Sequence, residues 1–127
     1  MTSIFTKIIN GELPAYKIYE DNWALAFLDI NPMQRGQVVL VSKKEVPYIY
    51  DLDPEAYTKL MERTQYIAQI LKSKFNCNKV CLIVEGYEIA HAHVKLIPTN
   101  KPEDLDSKLV HSATKEELEE DYKLIMS

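Results

Sequence analysis

The segment His91-Ala92-His93-Val94-Lys95-Leu96-Ile97-Pro98 holds two of the three histidines in the chain and sets an ammonium two places beyond them. Alternation is the period of a β-strand. On such a strand Ala90, Ala92, Val94 and Leu96 point to one face, and His91, His93 and Lys95 to the other. Neighbours on one face lie roughly 6.5–7 Å apart at the backbone, which lets adjacent rings bracket one phosphate or share one proton network. Three blander readings stand beside this one. The pair is solvated on an edge strand, or it chelates a metal, or it belongs to the core. A chelate needs a third ligand, and Lys95 occupies the next place on that face with a positive charge that repels a cation. A core position is disfavoured because the other face of the strand already supplies the apolar side chains.

The elements that must position this strand are legible from spacing and caps. Ile4, Phe5, Ile8 and Ile9 give a short amphipathic helix ending at Gly11. Tyr16–Glu20 and Trp23–Leu28 read as a hairpin turning at Asp21-Asn22, and Val38–Val41 as a third strand. Asp53-Pro54 is a strong helix start. Tyr57, Leu60, Met61, Thr64, Ile67, Ala68 and Leu71 follow as one apolar stripe, suited to a sheet face or to a two-fold interface. Val80–Val84 reads as a buried strand, Gly86 as a turn, and Ala90–Ile97 as the last strand. Lys101–His111 is polar and reads as a surface loop. A final helix starts at Thr114, whose capping box is completed by Glu117. This is an α+β domain spanning residues 1–127, with 99–127 as a C-terminal arm and helix.

Composition narrows the function classes. The chain has 127 residues, 46% hydrophobic, and a net charge of −4. That is the size of one self-sufficient core, without the basic footprint of a protein that grips nucleic acid. No apolar run approaches the roughly 20 residues that span a bilayer, so no membrane association is expected. Cys77 and Cys81, with no secretory leader ahead of them, point to reduced thiols and a cytoplasmic protein.

Taken together, the order of elements and the His91–Ile97 strand resemble the histidine-triad family of nucleotide-binding hydrolases and transferases, whose motif is His-x-His-x-His followed by two apolar residues. The resemblance runs from about Ile4 to Pro98. It includes Ile4-Phe5-Thr6-Lys7-Ile8-Ile9-Asn10-Gly11-Glu12-Leu13-Pro14, Tyr19-Glu20-Asp21 and Leu25-Ala26-Phe27-Leu28-Asp29-Ile30-Asn31-Pro32. It implies one five-stranded antiparallel sheet with one long helix and short terminal helices, and commonly a homodimer. It also implies a purine slot walled by Ile4, Phe5, Ile8, Phe27 and Val39, with Asp29 on the ribose hydroxyls and Ile30 beside it. Taken alone, Phe27, Ile8 and Val39 also suit an ordinary core, and Asp29 a turn. His93 matches the nucleophile, attacking the α-phosphorus of an ester, anhydride or phosphoramidate to form a nucleotidyl-histidine that water releases. His91 matches the histidine that orders it, and Gly86 a turn presenting backbone N–H groups to phosphate.

The departures bear on activity. Lys95 stands where the family has its third histidine, and a lysine neutralises charge better than it donates a proton. Gln37 replaces a histidine found in many members. Tyr87 and Glu88 lie where polar Asn and Ser are usual, so Glu88 sets a negative charge near the phosphate unless it turns away or holds His91 or Lys95. Ser3-Ile4-Phe5-Thr6 replaces the Cys-x-x-Cys of zinc-bearing relatives. The expectation is therefore a metal- and cofactor-independent nucleotidyl hydrolase or transferase acting on a purine nucleotide conjugate. The alternative is a catalytically weakened nucleotide-binding or regulatory module of the same fold.

Overall fold

A computed structural model describes residues 2–127. The order is α1 (Ile4–Ile9), β1 (Lys17–Glu20), β2 (Ala24–Leu28), β3 (Val38–Ser42), α2 (Pro54–Phe75), β4 (Lys79–Ile83), β5 (His93–Thr99) and α3 (Lys115–Met126). The strands form one five-stranded antiparallel sheet in the order β1-β2-β3-β5-β4. This is the α+β architecture with one long helix that the sequence led us to expect. Its caps are the expected ones: Asp53 accepts from the Ala56 N–H at the start of α2, and Thr114 and Glu117 cap each other's backbone at α3.

Both faces of the sheet are covered. α2 lays Ala56, Leu60, Ile67 and Leu71 against Ala24, Ala26, Val38, Leu40, Val94 and Leu96. Its stripe is therefore a sheet contact. On the opposite face α1 sets Phe5 and Ile8 against Leu25, Phe27, Val39 and Val41. Double coverage explains why β2 and β3 are buried at every position and read as unbroken apolar runs.

Three expectations are corrected. The last strand does not start at Ala90. A three-residue turn, with His91 N–H donating to the Ile89 carbonyl at 2.9 Å, bends the chain, so Ala90 is exposed and pairing begins at His93. The same strand runs past Pro98 to Thr99. The Asn78 N–H bonds the Thr99 carbonyl, so Pro98 turns its missing donor to the other side, where β3 has already ended opposite Leu96. Finally, β4 is an edge strand and only half-buried, with Leu82 43% exposed.

The turn entering β3 depends on a glycine. Gly36 has φ +79°, a Cβ there would lie well inside contact distance of the Phe75 ring, and its N–H donates to Asp121 of α3 at 3.1 Å. Arg35 donates to both oxygens of the same carboxylate, at 3.2 and 3.1 Å. This clamp ties α3 to the loop between β2 and β3. Replacing Gly36→Ala combines a left-handed backbone with overpacking and should lower stability by about 2–4 kcal/mol, read as a lower urea midpoint with an unchanged slope.

Candidate active site

Register places the site. Lys95 pairs across to Val39 and Val39 to Phe27, while His93 pairs to Val41 and Val41 to Leu25. Paired residues share a face, so His93 and Lys95 stand beside the apolar patch that α1 covers. Between α1, these strands and the β4–β5 connection lies a cavity of about 410 Å³. Ile4, Phe5, Ile8, Phe27, Asp29, Ile30, Val39, Glu88, His93 and Lys95 all line it, as do Gln37, Glu85 and Val110. Phe27, Ile8 and Val39 are core residues as well, buried in the α1-side cluster.

His93 is buried and has one ring nitrogen committed. Its Nδ1 lies 2.5 Å from the His91 carbonyl oxygen. A carbonyl only accepts, so Nδ1 carries the proton, and in the neutral ring Nε2 keeps the lone pair. Burial, assisted by the charge of Lys95, pulls the His93 pKa below its ordinary value. The bond to the His91 carbonyl and the Glu85 charge oppose that shift. The neutral form with one free lone pair is the form a nucleophile requires.

His91 is placed differently from the expectation. Its ring is fully buried and lines no part of the larger cavity. Nε2 donates to the Ser42 carbonyl at 2.6 Å, and Nδ1 lies 2.6 Å from the Ser3 hydroxyl. Because α1 covers this part of the sheet, the face that looked open is core, and the reading set aside for a buried histidine holds for His91. It orders His93 through its backbone carbonyl and not through its ring. Ser3 also caps α1 by accepting from the Thr6 N–H at 3.0 Å, and Glu45 accepts from the Ser3 N–H and the Thr6 hydroxyl, each at 2.6 Å. Those bonds hold the Glu45 carboxyl below its usual range, the Ser3 N–H contributing most. Ser3 and Thr6, notable in the sequence only for lacking thiols, thus pin α1 to the strand that carries His93.

Asp29 has both oxygens engaged. Oδ1 accepts from the Asn31 N–H and Oδ2 from Gln37 Nε2, each at 2.9 Å, while Gln37 Oε1 accepts from the Met33 N–H at 2.8 Å. It is therefore a turn residue that also lines the cavity, aimed by a buried glutamine. Gly86 does not line the larger cavity. It has φ +74° and borders a second cavity of about 230 Å³, which meets the first at Glu85 and His93. The C-terminal segment reaches the mouth from the same chain. The His111 and Ala113 N–H groups donate to the carbonyls of Pro32 and Ile30, and this brings Val110 to the rim. A polar stretch gave no cue to that contact. Glu45 and Glu85 were likewise missed, each a single acid in an ordinary charged loop.

Residues 10–102 match the HIT domain. The chain belongs to the HIT domain family. Among family relatives, an uncharacterized HIT-like protein of Borreliella burgdorferi is 34% identical, covering 77% of this chain and 76% of its own. The adenosine 5'-monophosphoramidase of Saccharomyces cerevisiae is 31% identical, covering 75% and 61% respectively. Among solved structures, a hypothetical histidine triad nucleotide-binding protein from Sulfolobus tokodaii superposes with a TM-score of 0.84 at 28% identity, covering 96% of this chain and 88% of that one. No helix among the described residues is long and apolar enough to cross a membrane.

The burial of His93 has a measurable sign. Its imidazole should titrate below pH 6.5, the reverse of a ring held by a carboxylate. Because the folded state disfavours the proton, this contribution to stability is complete above the unfolded-state value and is lost as pH falls through it toward the folded one. Proton-detected NMR titration of His93 reads the midpoint. A midpoint above 6.5 would contradict the burial argument.

Proposed function

We propose that this HIT domain protein hydrolyses, or transfers from, a purine nucleotide conjugate at its α-phosphate through a covalent nucleotidyl-His93. The observation that carries the reading is the His93 ring, protonated toward a backbone carbonyl and presenting Nε2 beside an apolar cavity. The names of the yeast relative and the Sulfolobus neighbour support it. The base lies against Ile4, Phe5, Ile8, Phe27 and Val39, with Ile30 at the edge. Asp29 accepts from ribose hydroxyls with its remaining lone pairs. Glu88 borders the phosphate end.

The lone pair of Nε2 attacks phosphorus as the bond to the leaving atom breaks. The leaving group takes the bonding electrons and a proton from solvent at the mouth of the cavity. The imidazole in the adduct keeps Nδ1–H on the His91 carbonyl, which eases the positive charge of the ring. Lys95, in the place of the third motif histidine, offsets phosphoryl charge without serving as the principal proton donor. Water then attacks phosphorus, the P–Nε2 bond returns its electrons to the ring, and the nucleoside monophosphate leaves with the water oxygen. Residues 1–127 act as one domain in which 99–127 closes the mouth of the site. Two copies pair through the open edge of β4, where Leu82 is exposed. The free thiols of Cys77 and Cys81 suit a cytoplasmic setting.

Incubation with an adenosine phosphoramidate should yield AMP and, on acid-free quench, an adenylylated protein. His93→Ala should lower turnover by about a thousandfold or more and remove the adduct. Undiminished turnover in that variant would sink the mechanism. Tight AMP binding without product in the parent, with turnover gained in Lys95→His, would identify a binding module weakened at this position.

A further inference from the structure

The smaller cavity lies next to the nucleophile and has a chemical character of its own. Glu85 and His93 are the two residues it shares with the nucleoside-sized cavity. Tyr48, Tyr50 and Tyr87 form much of the rest of its wall. The rings of Tyr48 and Tyr50 stand edge to face, 5.2 Å between centroids, Tyr50 also tilts against Tyr57, and Tyr48, Tyr50 and Tyr87 all keep exposed surface. Glu85 is held in its loop by the Tyr87 N–H, which donates to Oε2 at 3.2 Å. No lysine or arginine borders this cavity, and Lys95 lines only the other one.

From this juxtaposition we propose that the smaller cavity is the leaving-group subsite and that it selects a leaving group whose far end bears a positive charge. The inference rests on the reading of His93 as nucleophile. With the nucleoside in the larger cavity and phosphorus at Nε2, the departing group sits within a bond of phosphorus and enters the adjoining space. There a cation meets the faces of tyrosine rings and a carboxylate. A polyphosphate meets the same carboxylate with no counter-charge, so the subsite disfavours it. In the phosphoramidates used as probes the bond broken is P–N. Its electrons stay on the amine nitrogen, which takes one proton from solvent, and the attacking water gives its oxygen to AMP and returns its surplus proton to solvent. The outer ammonium is a spectator to these steps and serves recognition.

Three adenosine phosphoramidates of matched length test this, made from a diaminoalkane, an alkylamine and an ω-amino acid, so that the far end is cationic, neutral or anionic. The expected order of kcat/KM is cationic, neutral, anionic, with the first two separated by about tenfold at low salt and converging as salt rises. In Glu85→Gln the cationic-to-neutral ratio should fall to about one, and in Tyr50→Ala it should fall part of the way. Glu85 and Tyr50 are exposed, so both variants are expected to fold, which far-UV circular dichroism checks. A ratio that Glu85→Gln leaves intact, or a preference for the anionic conjugate, overturns the subsite. So does an equal slowing of all three conjugates with adenylylated His93 accumulating, which would make Glu85 the base for water. Equal turnover of all three in the parent removes the subsite alone. Failure to turn over any conjugate or to bind AMP removes the nucleotide reading, and the subsite with it.

Discussion

A ring nitrogen that gives its proton to a backbone carbonyl leaves the opposite nitrogen with a lone pair, and the His93–His91 bond fixes that assignment. The carbonyl has to be held still for this to matter. His91 supplies that rigidity with its ring, which is bonded to Ser42 on one side and to Ser3 on the other, while the Ala92 N–H reaches the Val46 carbonyl at 2.7 Å. Ser3 is the cap of α1, and α1 carries Phe5, whose ring meets His93 edge-on at 5.0 Å between centroids. The tautomer of His93 and the position of the apolar wall thus depend on one cluster. A disturbance at Glu45 or Ser3 reaches both at once.

That cluster rests on a sheet with no soft side. β2 and β3 are packed by α2 on one face and α1 on the other, so neither can tilt without breaking two cores. The rim of the cavity is built differently. Residues 110–113 are joined to the loop after β2 by backbone bonds, and α3 behind them is anchored by the Arg35–Asp121–Gly36 clamp. The floor is set by packing and the mouth by a few polar contacts.

Local chemistry was legible in the sequence where one residue decides it. Asp53-Pro54, Thr114 with Glu117, and Gly11 after a short apolar helix set boundaries through their own backbone preferences. The apolar stripe of α2 was legible as a stripe, but its choice of the sheet over a two-fold interface came only from the packing. The resemblance carried in Ile4–Pro14 and Leu25–Pro32 located about half of the lining of the larger cavity. The missed features are long-range. Alternation assigns side chains to faces only while the chain stays extended, and the turn at Ile89–His91 interrupts it just where the first histidine lies. Nothing local announces that a helix 88 residues away will cover that ring. Gly86 gave a correct turn but not its neighbour, because which cavity a loop borders depends on how two connections pack.

On the proposed reading, Lys95 and the carboxylates around it decide what kind of anion the site tolerates. One ammonium faces a cavity that also presents Asp29, Glu85 and Glu88. Asp29 is drawn off by Gln37 and a backbone N–H, and on the proposed reading it meets hydroxyls and not phosphate. On the same reading the two glutamates lie on the phosphate side, against Lys95 as the one Lys or Arg that lines the cavity among the described residues. Such a field suits a single phosphoryl group. A run of further phosphates would add charge where no cation is left to meet it, and the Coulomb cost rises because the walls are apolar. An imidazole at position 95 would shuttle protons but relinquish a fixed positive charge. On the proposed reading the lysine reverses that exchange, offsetting phosphoryl charge while proton delivery to the leaving group falls to solvent water.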